Sequence, residues 1–377
     1  MTKKFSLFAA AALALCLVSA PAPVTAQAPA AGAPPAAQAG GRPRSATPNP
    51  NIVSPRATDP LKPPNAPPLA YHFVPGPAAP EGKKFGNVGS IALTPQGNLI
   101  VFNRNPEIMM AEYDPSGKFL RAFNPNIAVN AHGLRVDRYG NIWAADSFMN
   151  VIWKLNPKGE PLMMLGTRGE VGPWDDAKWN GMFNQPLDVN FDADDNIYVV
   201  QSHGGTSNPP DCTYCANYSN SEPPVPQGSD PRILKFDKTG KFIASRSLAH
   251  ATPQYPTIHS VIVTPKGEVW IGDRQANKIV VLDRDLKPLR TIDAPNRTSG
   301  LFLDAKGQIW LSTGMDGMVM RLDDNGKVIG WIGKAGRDVT VDPNAIGEAH
   351  YVVVTPDLKT IYIADSVNAK VHRLDAN

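Results

Sequence analysis

The chain has 377 residues, and its 37 lysine or arginine residues nearly balance its 34 aspartate or glutamate residues, so the formal net charge is +3. The basic residues are scattered along the chain, which is not typical of a nucleic-acid groove or of a surface for anionic membranes. We therefore expect no nucleic-acid partner.

The first residues have the pattern of a secretory signal. Lys3 and Lys4 precede an apolar run over residues 5–20, and small residues lead up to a cleavage position after Ala26. The run is short for a membrane span and is followed by proline and alanine rather than by a stop-transfer pattern. We predict that residues 1–26 are a signal peptide. The mature protein would be periplasmic or secreted, with no membrane span after cleavage.

Residues 27–68 are rich in alanine, proline and glycine and show neither the helical nor the strand period. Such a segment buries too little apolar surface to offset the entropy of ordering it. We predict a disordered linker here and one folded domain over residues 69–377, a length that is ordinary for a closed β architecture.

A unit of about forty residues recurs through the folded part, and each copy has four short strands separated by turns. The second strand is the clearest. Its copies are Gly97-Asn98-Leu99-Ile100-Val101, Gly140-Asn141-Ile142-Trp143, Asp195-Asn196-Ile197-Tyr198, Gly267-Glu268-Val269-Trp270, Gly307-Gln308-Ile309-Trp310 and Lys359-Thr360-Ile361-Tyr362. Six units of this kind predict an all-β fold, a six-bladed β-propeller.

The sixth unit lacks a fourth strand, because residues 370–374 supply its third strand and only three residues follow. Before the first unit, residues 69–74 form an apolar stretch with no assigned partner. Pairing of these two segments would close the ring, whereas an open array would leave both strand edges exposed. We therefore predict a propeller closed by an N-terminal strand.

Histidine occupies one equivalent position in alternate units. Counting eight residues back from the second-strand turn, with one inserted residue in the sixth unit, gives Gly89, His132, Leu187, His259, Ser299 and His350. These positions begin the innermost strands, which line the channel of a propeller, so the three histidines should converge on the axis. Three neutral imidazoles with an open fourth position are typical of catalytic zinc, and we predict a zinc site here.

Aspartate follows the same alternation, at Asp146, Asp273 and Asp365. These carboxylates could cap the second strands or support the metal ligands from outside. The alternative for both sets is structural, with each histidine beginning a strand and each aspartate capping a turn. Three histidines at equivalent positions favour the metal site.

Several short motifs are shared with a known family. They are Val101-Phe102-Asn103-Arg104, His132-Gly133-Leu134, Leu165-Gly166-Thr167-Arg168-Gly169, Phe183-Asn184-Gln185-Pro186, His259-Ser260, Asp273-Arg274 and His350. Through them, most of residues 85–375 resembles the catalytic core of peptidylglycine α-amidating lyase, one of the NHL-repeat propellers. The resemblance implies zinc bound by the three histidines and cleavage of a peptidyl α-hydroxyglycine to a peptide amide and glyoxylate.

The resemblance also implies catalytic roles for Arg104 and Arg274. Arg104 matches the family's active-site arginine and is the candidate to hold the substrate carboxylate, or a developing alkoxide, through a bidentate contact. Without the resemblance, an arginine at a blade edge would be read as a solvated or ion-paired surface residue.

Three positions depart from the family pattern. The family's catalytic tyrosine precedes a cysteine in the third unit, where this chain has an insertion over residues 202–230; Tyr214 and Cys215 imitate that pair, so Tyr214 is the candidate base. The aspartate that holds a structural calcium in the family is Tyr351 here, so the resemblance does not extend to calcium. A family methionine is replaced by Glu348, which either adds a carboxylate near the metal or faces solvent.

Cys212 and Cys215 are the only cysteines that remain after the signal peptide is removed. In an oxidising compartment this spacing favours a local disulfide across the insertion. A redox or zinc site is the weaker interpretation, because no second cysteine pair would complete four ligands.

Three classes of function remain open at this point. The first is a zinc-dependent lyase, or a related hydrolase, that acts on a small molecule or short peptide. The second is a non-enzymatic binding platform or sensor in the cell envelope, with a protein partner at one propeller face, since the fold alone does not decide function. The third is a lactonase-like propeller, which three axial histidines disfavour because those enzymes use carboxylate and asparagine ligands.

Overall fold

Six four-stranded antiparallel sheets make up the folded region in a computed structural model. The structure describes residues 64–170, 178–201, 231–248, 258–274, 277–294, 297–314, 316–334 and 341–377. The predicted signal peptide, most of the predicted linker and the insertion that carries Cys212, Tyr214 and Cys215 lie outside these residues. Within them, no helix is long and apolar enough to cross a membrane.

The strands fall into consecutive groups of four, which we number as blades from the N-terminus. Blade 1 contains β2 Val88–Leu93, β3 Leu99–Asn103, β4 Met110–Tyr113 and β5 Phe119–Phe123, with a 3-10 turn at Pro106–Ile108 before β4. Blade 2 contains β6 Ala131–Val136, β7 Ile142–Asp146, β8 Val151–Leu155 and β9 Pro161–Leu165. Blade 3 contains β10 Pro186–Phe191, β11 Ile197–Gln201, β12 Arg232–Phe236 and β13 Phe242–Ser247.

The second half of the chain repeats this arrangement. Blade 4 contains β14 Ile258–Val263, β15 Val269–Asp273, β16 Lys278–Leu282 and β17 Pro288–Asp293. Blade 5 contains β18 Leu301–Leu303, β19 Ile309–Ser312, β20 Met318–Leu322 and β21 Val328–Gly333. Blade 6 contains β22 Ala349–Val354, β23 Thr360–Asp365 and β24 Lys370–Ala376, with β1 Tyr71–Val74 as its fourth strand.

The innermost strands of the six blades contact one another in a closed ring, β2 to β6, β10, β14, β18, β22 and back to β2. The predicted six-bladed propeller is therefore confirmed. The ring places the N-terminal ends of the inner strands together at one mouth of a central channel.

Apolar clusters between neighbouring blades form the core. Successive side chains of a strand point to opposite faces of a sheet. In β7, Ile142 packs against blade 1, whereas the next residue, Trp143, packs against blade 3. The second strands are mainly apolar up to their last residue, because both of their faces are buried. This explains why these strands were the clearest in the sequence.

The turn between the first two strands of a blade is built by its own side chains. In blade 2, the Asp137 carboxylate accepts hydrogen bonds from the backbone N–H groups of Tyr139 and Asn141. Gly140 supplies the positive φ of 82° that the turn requires. In blade 6 the corresponding residue is Leu358, with φ of 60°. Lys359, which follows it, is therefore the inserted residue of the sixth unit.

The N-terminal segment closes the ring as predicted. Tyr71 pairs with Ala376 and Val74 pairs with Arg373, so β1 is the outermost strand of blade 6. The chain before β1 also binds blade 5. The Leu69 N–H donates to the Trp331 carbonyl at 2.8 Å, and the Trp331 indole N–H donates to the Ala66 carbonyl at 3.0 Å. Hydrogen bonding to the propeller thus begins two residues before the predicted end of the linker.

Candidate metal centre and active site

The three channel histidines lie at equivalent places in the inner strands of blades 2, 4 and 6. Each is the second residue of its strand, and the pairing with the second strand shifts register there. Such a bulge re-aims a side chain out of the regular alternation. The bulges at His132, His259 and His350 therefore turn these side chains away from the regular alternation of the strand. The three imidazole rings come together as a result.

The three imidazoles form a compact buried group. Their ring centres are 4.7 Å apart for His132 and His259, 4.8 Å for His259 and His350, and 4.9 Å for His132 and His350. One nitrogen of each ring lies within 4.8 Å of the corresponding nitrogens of the other two. The convergence expected from the alternate spacing is present.

A backbone carbonyl of the following blade orients each histidine. The Nδ1 atoms lie 2.9 Å from the Leu187 oxygen for His132, 2.8 Å from the Ser299 oxygen for His259 and 2.5 Å from the Gly89 oxygen for His350. A carbonyl oxygen can only accept, so each Nδ1 is the protonated nitrogen and each Nε2 carries the lone pair. This is the arrangement by which proteins orient histidines that bind metals.

The carbonyls come from the three positions at which the alternating series lacks histidine. Gly89 needs to be glycine, because a Cβ there would lie 2.2 Å from the Ala131 carbonyl oxygen of blade 2. Blades 1 and 2 can approach this closely at the axis only without a side chain. The inner ring therefore alternates between imidazoles and the carbonyls that orient them.

Burial keeps His350 neutral at ordinary pH. It lowers the pKa of the imidazole to about 4, with the nearby guanidinium groups of Arg274 and Arg104 acting in the same direction and Glu348 opposing them. Neutral imidazole is the form that binds a metal. The donor set, three buried imidazoles with Nε2 lone pairs, fits a divalent ion of the zinc type and leaves a further coordination position.

The two predicted catalytic arginines both lie beside this group. Each directly follows the end of a second strand, at the mouth where the inner strands begin. Arg274 is buried, and its Nη1 lies 3.5 Å from Nε2 of His259. Arg104 is half-buried, and its Nε donates to the carbonyl of Ala131, the residue before His132, at 3.3 Å.

Glu348 lies inside the site rather than in solvent. Its carboxylate forms an ion pair with Arg274 and accepts a hydrogen bond from the Ser366 hydroxyl. Burial raises the pKa of Glu348, but the charge of Arg274, the nearby His350, the hydrogen bond from Ser366 and the charge of Arg297 together outweigh burial, and the pKa lies well below its ordinary value. Glu348 is therefore an anion at the channel mouth.

Sequence reasoning missed Arg297 and Ser366. Arg297 is buried, and its charge also lowers the pKa of Glu348. It lies two residues before Ser299, just as Glu348 lies two residues before His350. The register that located the histidines would have identified Arg297 if the count had been taken two residues further back. Ser366 directly follows Asp365 and could have been found by the same count.

Two of the alternating aspartates, Asp146 and Asp365, contact the loops of the site through backbone N–H groups. Asp365 accepts hydrogen bonds from the N–H groups of Gly347 and Glu348, at 2.8 and 3.0 Å. Asp146 accepts from the N–H groups of Val129 and Asn130 in the same way, at 2.8 and 3.1 Å. These carboxylates hold the loops that lead into the histidine strands, which is the capping role considered for them.

Large side chains fill the channel on the other side of the histidines. The Tyr351 hydroxyl donates to the carbonyl of His259 at 3.1 Å. Beyond it, Arg135 forms a bidentate pair with Asp188, at 3.0 and 2.5 Å, and donates to the Leu301 carbonyl at 2.9 Å. These contacts join blades 2, 3, 4, 5 and 6 across the axis. Tyr351 stands where the amidating lyases that the sequence resembles have a calcium ligand. Its phenol ring thus occupies this position, and the guanidinium of Arg135 lies beside it.

Amidating enzymes and NHL-repeat proteins are among the sequence relatives. Peptidyl-glycine alpha-amidating monooxygenase A of Xenopus laevis is 27% identical over 228 residues, which are 52% of this chain and 21% of that protein. Peptidyl-alpha-hydroxyglycine alpha-amidating lyase 2 of Drosophila melanogaster is 27% identical over 117 residues, or 24% of this chain and 29% of the relative. NHL repeat-containing protein 3 of Mus musculus is 24% identical over 189 residues, or 48% and 46%.

These matches confirm the resemblance seen in the motifs, at low identity. The chain spans less than half the length of each of these relatives, and about a fifth of the Xenopus protein. No protein-family model matches the chain.

Solved structures with the same fold include enzymes of other activities. A gluconolactonase from Xanthomonas campestris superimposes with a TM-score of 0.57 at 14% identity, over 84% of this chain and 99% of that one. A catalytically inactive virginiamycin B lyase from Staphylococcus aureus, solved with quinupristin, gives a TM-score of 0.52 at 12% identity, over 81% and 98%. At these identities the likeness shows the fold alone.

Proposed function

We propose that this chain is a zinc-dependent lyase that cleaves a peptidyl α-hydroxyglycine, or a closely related carbinolamide, to an amide and glyoxylate. The observation that carries the proposal is the meeting of three carbonyl-oriented imidazoles beside Arg104 and Arg274. The low-identity similarity to the amidating enzymes supports the same reaction. The neutral state of His350 and the burial of the site suit a metal that acts on an anionic substrate.

Zinc, when bound, supplies a Lewis acid that lowers the pKa of a coordinated hydroxyl group. The chain's own residues divide the remaining tasks. Arg104 binds the substrate carboxylate through a bidentate contact, and Arg274 donates a hydrogen bond toward the side of His259 where the substrate oxygen would lie. The candidate base, Tyr214, takes the hydroxyl proton. The carbon–nitrogen bond then breaks, the amide nitrogen gains a proton, and the aldehyde carbonyl of glyoxylate forms.

Glyoxylate release from a short α-hydroxyglycine peptide tests the proposal. Purified protein loaded with zinc should release glyoxylate above the rate of the free peptide, and protein stripped by a chelator should not. Tyr214→Phe should slow the reaction without removing zinc if this residue is the base. No release from zinc-loaded protein would exclude this reaction.

Absence of glyoxylate would favour the second candidate, a binding platform or sensor of the cell envelope. The similarity to an NHL repeat-containing protein suits that function equally well. A protein partner at one propeller face would then be sought.

Under either function we propose that the chain is exported. N-terminal sequencing of the mature protein should then find that its first residue is the one that follows Ala26.

A further inference from the structure

The ion pair between Arg274 and Glu348 spans a whole blade. Arg274 belongs to blade 4 and Glu348 to blade 6, 74 residues further along the chain. In blade 5, the residue that corresponds to Arg274 in the repeat is Gly314. A Cβ at Gly314 would lie 3.9 Å from Nε of Arg274, and the glycine has a positive φ of 60°. The Arg274 side chain therefore passes within contact distance of blade 5 on its way to Glu348.

The pair is buried and its carboxylate is held at both oxygens. Arg274 is 4% exposed and Glu348 is 9% exposed. One carboxylate oxygen accepts from Arg274 and the other accepts from the Ser366 hydroxyl of the same blade. Glu348 also lies two residues before His350 in a loop that Asp365 fixes through the Glu348 N–H. The carboxylate is therefore fixed in place relative to the histidines.

Arg274 creates an electrostatic conflict at the histidine group. Its Nη1 lies 3.5 Å from Nε2 of His259, the nitrogen that would bind a metal because Nδ1 contacts the Ser299 carbonyl. A guanidinium and a divalent cation would thus share one buried mouth, where charges are poorly screened and repel strongly. A negative charge next to the guanidinium would remove most of that repulsion.

We propose that Glu348 is this counter-charge, a positioning residue that holds Arg274 and allows it to lie beside a bound metal. The inference rests on the metal site of the proposed function, but it does not depend on which reaction the site performs. Without Glu348, the charge of Arg274 would oppose the metal directly. Without both residues, the opposition would disappear.

Zinc affinity of the full chain, measured by competition with a chromophoric chelator, tests the proposal in a double-mutant cycle. Glu348→Gln should weaken zinc binding on the order of 10²-fold. The cause is Coulomb repulsion between the Arg274 guanidinium and zinc, at an effective dielectric constant of about 20. Arg274→Gln should bind zinc at least as tightly as the unaltered protein. The double variant should recover most of the loss, because it replaces both charges with amides and buries no unpaired charge.

A matched control separates this effect from the loss of any buried carboxylate. Glu112 is 7% exposed and pairs with Arg121 and Asn98 in blade 1. Glu112→Gln should leave zinc affinity unchanged. Thermal melts of the metal-free variants will show which of them are folded. If Glu348→Gln alone is unstable, the zinc affinity of the double variant, compared with that of the unaltered protein, still tests the proposal.

The outcomes separate this inference from the metal site itself. Tight zinc binding by the unaltered protein together with unchanged affinity in Glu348→Gln would overturn the counter-charge and leave the metal site standing. A double variant as weak as Glu348→Gln would overturn it as well. Failure of the unaltered protein to bind zinc would overturn both the metal site and the inference.

Discussion

A single backbone carbonyl decides which nitrogen each channel histidine presents. For His350 the Gly89 carbonyl accepts the Nδ1 proton, and for His259 the Ser299 carbonyl does so. The spacing of the histidines could be counted in the sequence, but the tautomer could not. It depends on a contact between strands of neighbouring blades that only the assembled ring provides.

Arg104 should contribute to catalysis and not to metal binding. Arg104→Ala should lower the rate of glyoxylate release on the order of 10²-fold, the typical loss when a group that stabilises developing charge is removed. Arg104→Lys should recover little, because a point charge cannot reproduce a bidentate guanidinium. Zinc content, measured by atomic absorption, should stay unchanged in both variants. Loss of zinc together with the rate would instead assign Arg104 to the support of the metal site.

The stability of the metal-free protein should depend on the ionisation of His350. Its pKa falls from an ordinary 6.5 to about 4 on folding, so the unfolded chain binds more protons between these values. Stability should therefore fall as the pH drops from 6.5 to 4 and should show no further loss from this group below 4. The contribution is about 3 kcal/mol at most, from 1.36 kcal/mol per pKa unit.

Urea unfolding at a series of pH values measures this dependence. His350→Gln should reduce the slope between pH 6.5 and 4 by the part that this imidazole contributes. His72→Gln, at an exposed histidine of β1, is the control and should keep the slope. An identical pH dependence in His350→Gln and the unaltered protein would show that the imidazole is not buried as a neutral group.

At the scale of the strands, the closing strand should contribute more to stability than its four residues suggest. Strand β1 covers the open edge of β24, and Leu69 and Ala66 fix the preceding chain to Trp331 of blade 5. A deletion of residues 27–63 leaves all of these contacts in place, so its melting temperature should equal that of the unaltered mature protein.

Extending the deletion through residue 74 should lower the melting temperature by about 5–10 °C, as expected when several kcal/mol are lost from a domain of this size. It should also promote association, because an open strand edge pairs readily with other chains. Melting curves and light scattering of the two truncations give the comparison. Equal melting temperatures would show that β1 adds nothing to closure.

The strands and turns also show what the sequence could and could not predict. Strand order, closure by residues 69–74 and the positions of His132, His259 and His350 followed from a repeat period that the structure keeps. The ion pair of Arg274 with Glu348 did not follow. It skips a blade, and the repeat register relates equivalent positions without saying which long side chains reach one another. The insertion over residues 202–230 interrupts the repeat period. The repeat therefore does not predict the position of Tyr214.

For the whole molecule, the proposed metal site joins blades 2, 4 and 6 at the axis. A ligand that binds only the folded state stabilises it by mass action, by about 2.7 kcal/mol at a concentration 100 times its dissociation constant. Zinc should therefore raise the melting temperature of the unaltered protein. Alanine at His132, His259 or His350 should each remove most of the bound zinc and most of this increase.

The triple alanine variant should bind no zinc and melt at the same temperature with and without it. His72→Ala provides a control at an exposed histidine outside the group of three. Metal content and calorimetry on the same samples give both measurements. Unchanged zinc content in the triple variant would show that the ion binds elsewhere.

The side chains of Tyr351, Arg135 and Asp188 give the propeller axis a floor. They cross the channel beneath the histidines and link blades on opposite sides of it. These side chains therefore block the channel on that side of the histidines. A substrate of the proposed reaction would enter, and both products would leave, through the mouth that carries Arg104 and Arg274. Under the proposed reaction, each product leaves by the path that the next substrate needs, so glyoxylate, an anion suited to the same arginines, should compete with substrate for entry.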